Sequence, residues 1–390
     1  MMSNEGGFKV AMVETGGWGG IGHYTHCLCE ALCDAGIQAR LVTHARNYQL
    51  DKFPKHYEVE KLFLGDGMGA DWERLRRSVA RHGDDFVHFQ SIIAPRRDWA
   101  MLRWLQLRGG FPKVVLTAHN ILPHEVRLGD RFAYRQIYKA CDGIIVHSQS
   151  SLDHLARLMG DRFVSRHPVT VVPHGHYGML TEPNGASRKE SLATLELPEA
   201  RYITCFGAIR PYKGIDWLLE AVAAQQLWPD DTKVLVIGKV LTGVQEGDLT
   251  GLAERLGISD RVIFRFEYLD ESQIPDLFAV SDLIALPYRK IDQSGVLLAA
   301  LAAGKPVLAT PVGAFTEIVD ASIGFMAPQV SQHGVQTALA MALAQRASWS
   351  NRGRAALALS EREFGWSRVA EQTLDFYRRF VGSPIEQGST

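Results

Sequence analysis

Cysteine is scarce in this chain: five among 390 residues, an odd number, with no Cys-x-x-Cys pair. A disulfide framework and a zinc ribbon are thereby excluded. Cys27, Cys29 and Cys33 fall within one predicted helix, where small buried thiols are the plain explanation, and the usage suits a reducing compartment. Net charge is lacking too. Forty-two basic against 43 acidic residues leave −1, which gives no bulk attraction to nucleic acid. There is no run of about 18 apolar residues, so no membrane-spanning helix is expected. The polar start Met1–Lys9 runs straight into a strand and does not read as a signal peptide, so a cytoplasmic protein is expected. Histidine is nearly missing from the second half: thirteen of the 14 precede residue 180, and only His333 follows. The two halves are therefore expected to do different jobs.

What is present is an ordinary globular composition, 46% apolar and 22% charged, at a length that suggests two or three domains. Phe8–Glu14 reads as a strand, 15–22 as a glycine loop, His23–Ala35 as a helix closed by Gly36, and Ala39–Thr43 as a strand. That order opens a doubly wound parallel sheet. Gly17-x-Gly19-x-x-Gly22 fits a dinucleotide fingerprint. No acidic residue ends the second strand to hold a ribose, however, so a dehydrogenase is set aside. Further strands are expected at 86–89, 114–117, 143–146 and 169–172. The strand at 114–117 runs into Ala118-His119-Asn120-Ile-Leu-Pro-His124-Glu125, a polar cluster where open α/β sheets bind ligands. Its spacing is not that of a zinc motif. His119 is expected as a neutral hydrogen-bond donor or general acid/base, with a satisfied structural histidine as the alternative.

Residues 178–195 are polar and carry proline and glycine without periodicity, which predicts a linker. The chain then divides into 1–185, 196–365 and a last helix with its tail, 366–390. From Arg201 the strand–turn–helix pattern restarts, with strands at 201–206, 233–238, 262–266, 283–286 and 306–309. The expected fold is α/β: two doubly wound halves facing each other across a cleft, a favoured place for ligands.

The second half carries the clearer chemistry. Cys205-Phe-Gly207-Ala-Ile-Arg210-Pro-Tyr-Lys213-Gly214-Ile-Asp216 is a strand end, a glycine turn with two cations, and a helix start. Glycine lets backbone approach a ligand, a helix start offers N–H groups to an anion, Arg supplies a planar fork and Lys a point charge. Another helix start follows at Asp292-Gln-Ser294-Gly295-Val296, and a glycine turn ending in Glu317 comes after the next strand. A nucleoside diphosphate is the natural guest, and no Asp-x-Asp occurs to bridge it through a metal.

Four segments in one order, Gly-Gly-Trp-Gly-Gly-Ile-Gly-His-Tyr, Ala-His-Asn-Ile-Leu-Pro-His-Glu, Phe-Gly-Ala-Ile-Arg-Pro-Tyr-Lys-Gly and Gln-Ser-Gly-Val-Leu-Leu-Ala followed by Gly-Lys-Pro-Val-Leu-Ala-Thr-Pro-Val-Gly, resemble glycosyltransferase family 4, retaining enzymes of the GT-B fold. The resemblance covers roughly 8–375. It implies two Rossmann-like domains, a last helix returning to the first, and a nucleotide-sugar donor, UDP- or GDP-linked, held mainly by the second. By motif position His119, Arg210 and Lys213 are the catalytic residues. Gly19, Gly20, Gly207, Asp292, Ser294, Gly295, Val296 and Glu317 join the two cations around the donor, and His23, Asn120, His124 and Glu125 face the acceptor. No cofactor and no metal are implied.

One departure matters. Much of the family carries two glutamates that contact the sugar and the ribose. Here the second position is Ala299 and the first falls near Ile291-Asp292, so Asp292 and Glu317 are the available acids. The expected function is sugar transfer to a glycan or lipid-linked acceptor in exopolysaccharide or glycolipid assembly. The alternatives are a degenerate partner subunit, or a GT-B epimerase or phosphorylase relative. Arg96–Arg108, with four arginines and two tryptophans, is expected as a helix packed on the sheet. A peripheral contact with the cytoplasmic membrane face is the other role open to it.

Overall fold

The computed structural model describes residues 7–16, 19–47, 53–65, 68–123 and 126–381. The chain forms two compact units, one built from residues up to 175 together with those from 365 onward, the other from 176–364.

The first unit contains β1 (Lys9–Glu14), α1 (Gly20–Asp34), β2 (Gln38–His44), β3 (Glu58–Phe63), α2 (Met68–His82), β4 (Phe86–Phe89), α3 (Pro95–Leu107), β5 (Lys113–Thr117), α4 (Asp130–Ala140), β6 (Gly143–Val146), α5 (Gln149–Met159), α6 (Asp161–Arg166) and β7 (Val169–Val171). The strands make one parallel sheet in the order β3-β2-β1-β4-β5-β6-β7. Strands covered on both faces need apolar side chains in both directions, which is why segments such as Val10–Val13 are continuously hydrophobic. One face packs against α2, α3, α4 and α5 through residues such as Val13, Val87, Leu116 and Ile144. The other takes Met12, Phe86, Val115 and Ile145 against α1 and the chain's last helix. β3 was not expected from sequence. Its Glu-Val-Glu-Lys-Leu-Phe is too polar for a buried strand, and it lies at the sheet edge. There Glu60 accepts a 2.8 Å hydrogen bond from Arg40, which also pairs with buried Asp84.

The second unit runs α7 (Gly178–Thr181), α8 (Arg188–Thr194), β8 (Arg201–Phe206), α9 (Ile215–Ala223), β9 (Thr232–Ile237), α10 (Glu246–Arg255), β10 (Val262–Arg265), α11 (Ile274–Val280), β11 (Ser281–Leu286), α12 (Gly295–Ala302), β12 (Val307–Ala309), α13 (Phe315–Ile318), β13 (Gly324–Met326), α14 (Gln332–Ala344) and α15 (Trp349–Phe364). Its sheet is again parallel, in the order β10-β9-β8-β11-β12-β13. Three-residue β13 was too short to announce itself.

The expected linker at 178–195 is corrected. α8 opens with a capping box in which Ser187 and Glu190 exchange hydrogen bonds, and Leu192, Leu195 and Leu197 are buried in the second unit's core. A polar, proline-bearing sequence reads as linker, but here it is a capped helix whose apolar face is only one turn long.

The last helix, α16 (Trp366–Val381), belongs to the first unit. Val369, Ala370, Leu374, Phe376 and Tyr377 complete the core beside α1. The rings of Phe376 and Phe380 press on Gly143, where a Cβ would lie 2.8 and 2.7 Å from them.

Candidate active site

Each sheet has a crossover where consecutive connections leave in opposite directions: between β1 and β4 in the first, between β8 and β11 in the second. The carboxyl ends of strands at such points are the standard ligand positions of open α/β sheets.

In the second unit these ends gather the predicted donor residues. β8 stops at Phe206, and Gly207 follows at φ 96°. A Cβ on Gly207 would lie 2.9 Å from Lys213 Nζ and 3.6 Å from Val296 Cγ2, so the three residues meet at one spot with no room for a further side chain. Lys213 is buried, and its Nζ donates one hydrogen bond, 2.6 Å, to the Phe206 carbonyl. Burial lowers its pKa from 10.5 to about 8, and Cys205 alongside opposes that shift weakly. Most of the ammonium is still charged at neutral pH. Arg210 is half-buried at the turn, and among the described residues its guanidinium makes no hydrogen bond or ion pair. Gly214 holds φ 64°, and a Cβ there would strike the Pro287 carbonyl oxygen at 2.0 Å, so both conformation and space require glycine.

The β11–α12 loop is tied to this turn by Arg289, which sequence reasoning missed. Its backbone N–H donates to the Tyr212 carbonyl at 2.7 Å, and its guanidinium donates to the Pro211 carbonyl and to Asp216 Oδ2, each at 2.5 Å. The guanidinium also lies 4.3 Å from the Trp217 ring centroid. A cation three residues beyond a strand end was the available signal.

Ser294 is placed differently from expectation. It is the buried N-cap of α12: its Oγ accepts from the Leu297 N–H at 3.4 Å, while its own N–H donates to Gln293 Oε1 at 3.1 Å. The amide expected to face a ligand is thus taken by the neighbouring side chain. The α-carbon of Gly295 faces the Tyr177 ring. Asp292 is half-exposed, and its carbonyl accepts from the Ala314 N–H at 3.1 Å, which brings the turn after β12 against the same loop. Glu317 is exposed on the four-residue α13. Ala299 is buried in the core.

In the first unit, residues at the carboxyl ends of the strands form a polar row in sheet order: Glu14 ends β1, and Gln90, His119, His147 and His174 follow β4, β5, β6 and β7. Glu14 Oε1 accepts from the Gly16 N–H at 2.7 Å, stiffening the turn. His119, His147 and His174 all lie against the Tyr24 ring of α1, at centroid distances of 4.6, 5.2 and 4.6 Å. Their ring nitrogens lie within 4.8 Å of one another, a set chemically able to ligate a metal. Two of the rings, however, already share a hydrogen bond, His147 Nε2 to His119 Nδ1 at 3.1 Å. Burial lowers all three pKa values, that of His147 to about 4, with neighbouring His147 adding to the effect on His119 and His174.

His88 shows what a structural histidine looks like here. It is fully buried and bonded at both nitrogens, to Tyr377 Oη at 2.5 Å and Thr117 Oγ1 at 2.7 Å. His119 differs: its Nε2 is buried with no partner among the described residues. Gln90 shares that property, with both Nε2 and Oε1 buried and unpartnered. Gln90, His147 and His174 were not singled out from sequence, although each directly follows a parallel strand or its last turn.

Of the remaining expected residues, Gly19 (φ 84°) and Gly20 are exposed at the start of α1, and His23 is buried in its first turn against Phe53. Asn120 is half-exposed. Gly17, His124 and Glu125 lie outside the described residues.

These two parallel sheets are the two Rossmann-like domains of the GT-B glycosyltransferases. HepE of Anabaena, solved in complex with UDP and glucose, matches with a TM-score of 0.76 over 95% of this chain and 99% of its own, at 19% identity. The model for "Glycosyltransferase Family 4" matches residues 18–176, and that for "Glycosyl transferases group 1" matches 200–345. A D-inositol 3-phosphate glycosyltransferase of Salinispora tropica is 34% identical over 412 residues, taking in 94% of this chain and 82% of the relative. One from Segniliparus rotundus is 27% identical over 246 residues, 62% of this chain, so that the chain spans about half (53%) of that relative's length. The chain belongs to this glycosyltransferase family.

Proposed function

We propose that this chain moves a hexosyl group from a nucleoside diphosphate sugar, UDP- or GDP-linked, to a glycan or lipid-linked acceptor. Transfer proceeds with retention of anomeric configuration and without a metal or cofactor, in exopolysaccharide or glycolipid assembly. The observation that carries the proposal is the pair of cations at the second sheet's crossover: an Arg210 guanidinium with no hydrogen bond or ion pair among the described residues, and a buried Lys213 ammonium beside Gly207. As the bond from the anomeric carbon to the diphosphate oxygen breaks, negative charge grows on the leaving oxygen. Fixed cations in a desolvated turn meet that charge without reorganising, an effect of about 3–4 kcal/mol for a single such donor. The acceptor attacks from the face that the diphosphate leaves and passes its proton to a leaving phosphate oxygen, so no side chain has to become a covalent nucleophile. His119 takes a hydroxyl of the transferred sugar. The UDP and glucose seen with HepE support this class of donor.

The test is thermal stability of the purified chain, wild type and Arg210→Ala, against UDP-, GDP- and ADP-sugars. Binding at a hundredfold excess over Kd stabilises by about 2.7 kcal/mol. A shift with one nucleotide class that is lost in the variant is the expected result. No shift with any donor at millimolar concentration would favour a degenerate partner subunit.

A surface feature supports an acceptor at a membrane. On α3, α4 and the loop leading into α4, Leu107 (78% exposed), Leu128 (96%) and Phe132 (60%) are exposed, as are Arg96, Arg103, Arg108, Arg127, Arg131 and Arg135. Trp99 and Trp104 are half-buried against the core, as a packed helix requires. The opposite face is left basic and apolar, the composition that lies on anionic lipid. Among the described residues, no helix is long and apolar enough to cross a membrane.

A further inference from the structure

The chain of hydrogen bonds through the histidines fixes where each proton sits. His147 Nδ1 lies 3.0 Å from the Val172 carbonyl oxygen. A carbonyl only accepts, so Nδ1 carries the hydrogen. In a neutral imidazole one nitrogen is protonated and the other is bare, which makes His147 Nε2 an acceptor. The next contact, 3.1 Å to His119 Nδ1, can then exist only if His119 Nδ1 donates. His119 Nε2 is left without a proton. That same Nε2 is the atom found buried with no partner.

We infer that His147 is a positioning residue that holds His119 in its Nδ1–H tautomer, so that the atom offered to the substrate is the bare Nε2 lone pair. An acceptor nitrogen takes an O–H and repels the lone pairs of a phosphate or carboxylate oxygen. The group it selects is therefore a hydroxyl of the substrate and not an anionic oxygen. His174 closes the arrangement from the far side. Its Nδ1 donates to the Gly175 carbonyl at 2.7 Å, and its ring packs at centroid distances of 4.8 Å from His147 and 5.7 Å from His119. The Val172 and Gly175 carbonyls thus set two of the rings through backbone that β7 and its exit hold still. Loss of the His147 acceptor would free His119 to protonate at either nitrogen, and an Nε2–H would present a donor where an acceptor is needed. The substrate hydroxyl rests on the proposed function; the tautomer does not.

The experiment uses the full chain labelled with 15N-histidine and long-range 1H–15N correlation of the imidazoles. His119 is assigned by the signal lost in His119→Gln. The wild type is expected to show His119 protonated at Nδ1 and bare at Nε2. His147→Leu removes the acceptor and is expected to give the Nε2–H form or a mixture. His147→Gln supplies one donor and one acceptor in the same place and is expected to keep the Nδ1–H form. With a donor that turns over, kcat of His147→Leu should fall about 10–100-fold, the size found when the partner orienting a metal-bound histidine is lost, with donor KM within about twofold. His147→Gln should restore most of it. An Nε2–H His119 in the wild type, or an unchanged tautomer in His147→Leu, would overturn the inference. So would stoichiometric metal in the purified protein that His147→Gln releases, since the rings would then be ligands. If no donor turns over in any variant, the proposed function fails while the tautomer measurement still decides this point.

Discussion

Lys213 Nζ donates to the carbonyl of Phe206 at 2.6 Å, so this cation is folded back into its own strand end instead of extending into solvent. An ammonium held there is costly when the site is empty and useful when an anion arrives. Its pKa, about 8 against the ordinary 10.5, records that cost. Between those values the unfolded chain binds more protons than the folded one, so this group's contribution to stability rises with pH through that window, by about 3 kcal/mol at most. On the proposed function, nucleotide binding is expected to reverse the shift. Affinity for UDP or GDP is expected to fall as pH rises from about 8 to 10, and binding at pH 9 should take up close to one proton. Titration calorimetry in buffers of different ionisation enthalpy measures the uptake. Lys213→Met should abolish it, with a melting temperature at neutral pH at or above wild type, because the cost of the buried ammonium is removed.

Arg289 bridges the loop after β11 to the turn after β8 through Pro211, Asp216 and Trp217. Arg289→Ala is expected to lower stability by about 1–2 kcal/mol, because the ion pair is partly exposed and the stacking contact modest. It should weaken donor binding by more than that loss alone suggests, since the Arg210–Lys213 turn loses its brace. Urea denaturation and the nucleotide thermal shift, taken together, separate the two effects.

Gln90 is buried with both amide atoms unpartnered among the described residues, which costs about 1–3 kcal/mol for each unsatisfied group. Gln90→Leu is therefore expected to leave the fold as stable or more stable by chemical denaturation. A drop in transfer rate alongside that gain would place Gln90 in the substrate site. Unchanged transfer would make it a tolerated defect of the sheet end.

The basic and apolar face of α3 and α4 predicts flotation with anionic vesicles and little binding to neutral ones. Reversing Arg127 and Arg131 to Glu and changing Leu128 to Ser should cut binding at least about tenfold, at about 1 kcal/mol per charge near the surface. All three side chains are exposed, so the melting temperature should stay put. Wild-type protein that does not float would remove the membrane from the proposal.

Much of the second unit's candidate site was legible in the sequence because it is local. A strand end, a glycine turn and the following helix start lie within a dozen residues, and Gly207, Arg210, Lys213 and Gly214 meet there. Parallel strands buried on both faces were likewise visible as apolar runs, whereas polar β3 and three-residue β13 were not. His119 was found by its place after a strand. Its controlling partner was not found, since His147 lies 28 residues away and reaches it only because β5 and β6 are neighbours in the sheet.

The sequence alone therefore determined the α/β class, the tandem repetition and the family, because each is written in short contiguous patterns of apolar runs and glycine turns. Only the tertiary structure decided which nitrogen of His119 is bare, that Ser294 spends its N–H on Gln293, that Lys213 is desolvated, and that residues 178–195 belong to a core. Those properties depend on which atoms sit within about 3 Å of one another, and strand order in the sheet sets that proximity more than distance along the chain.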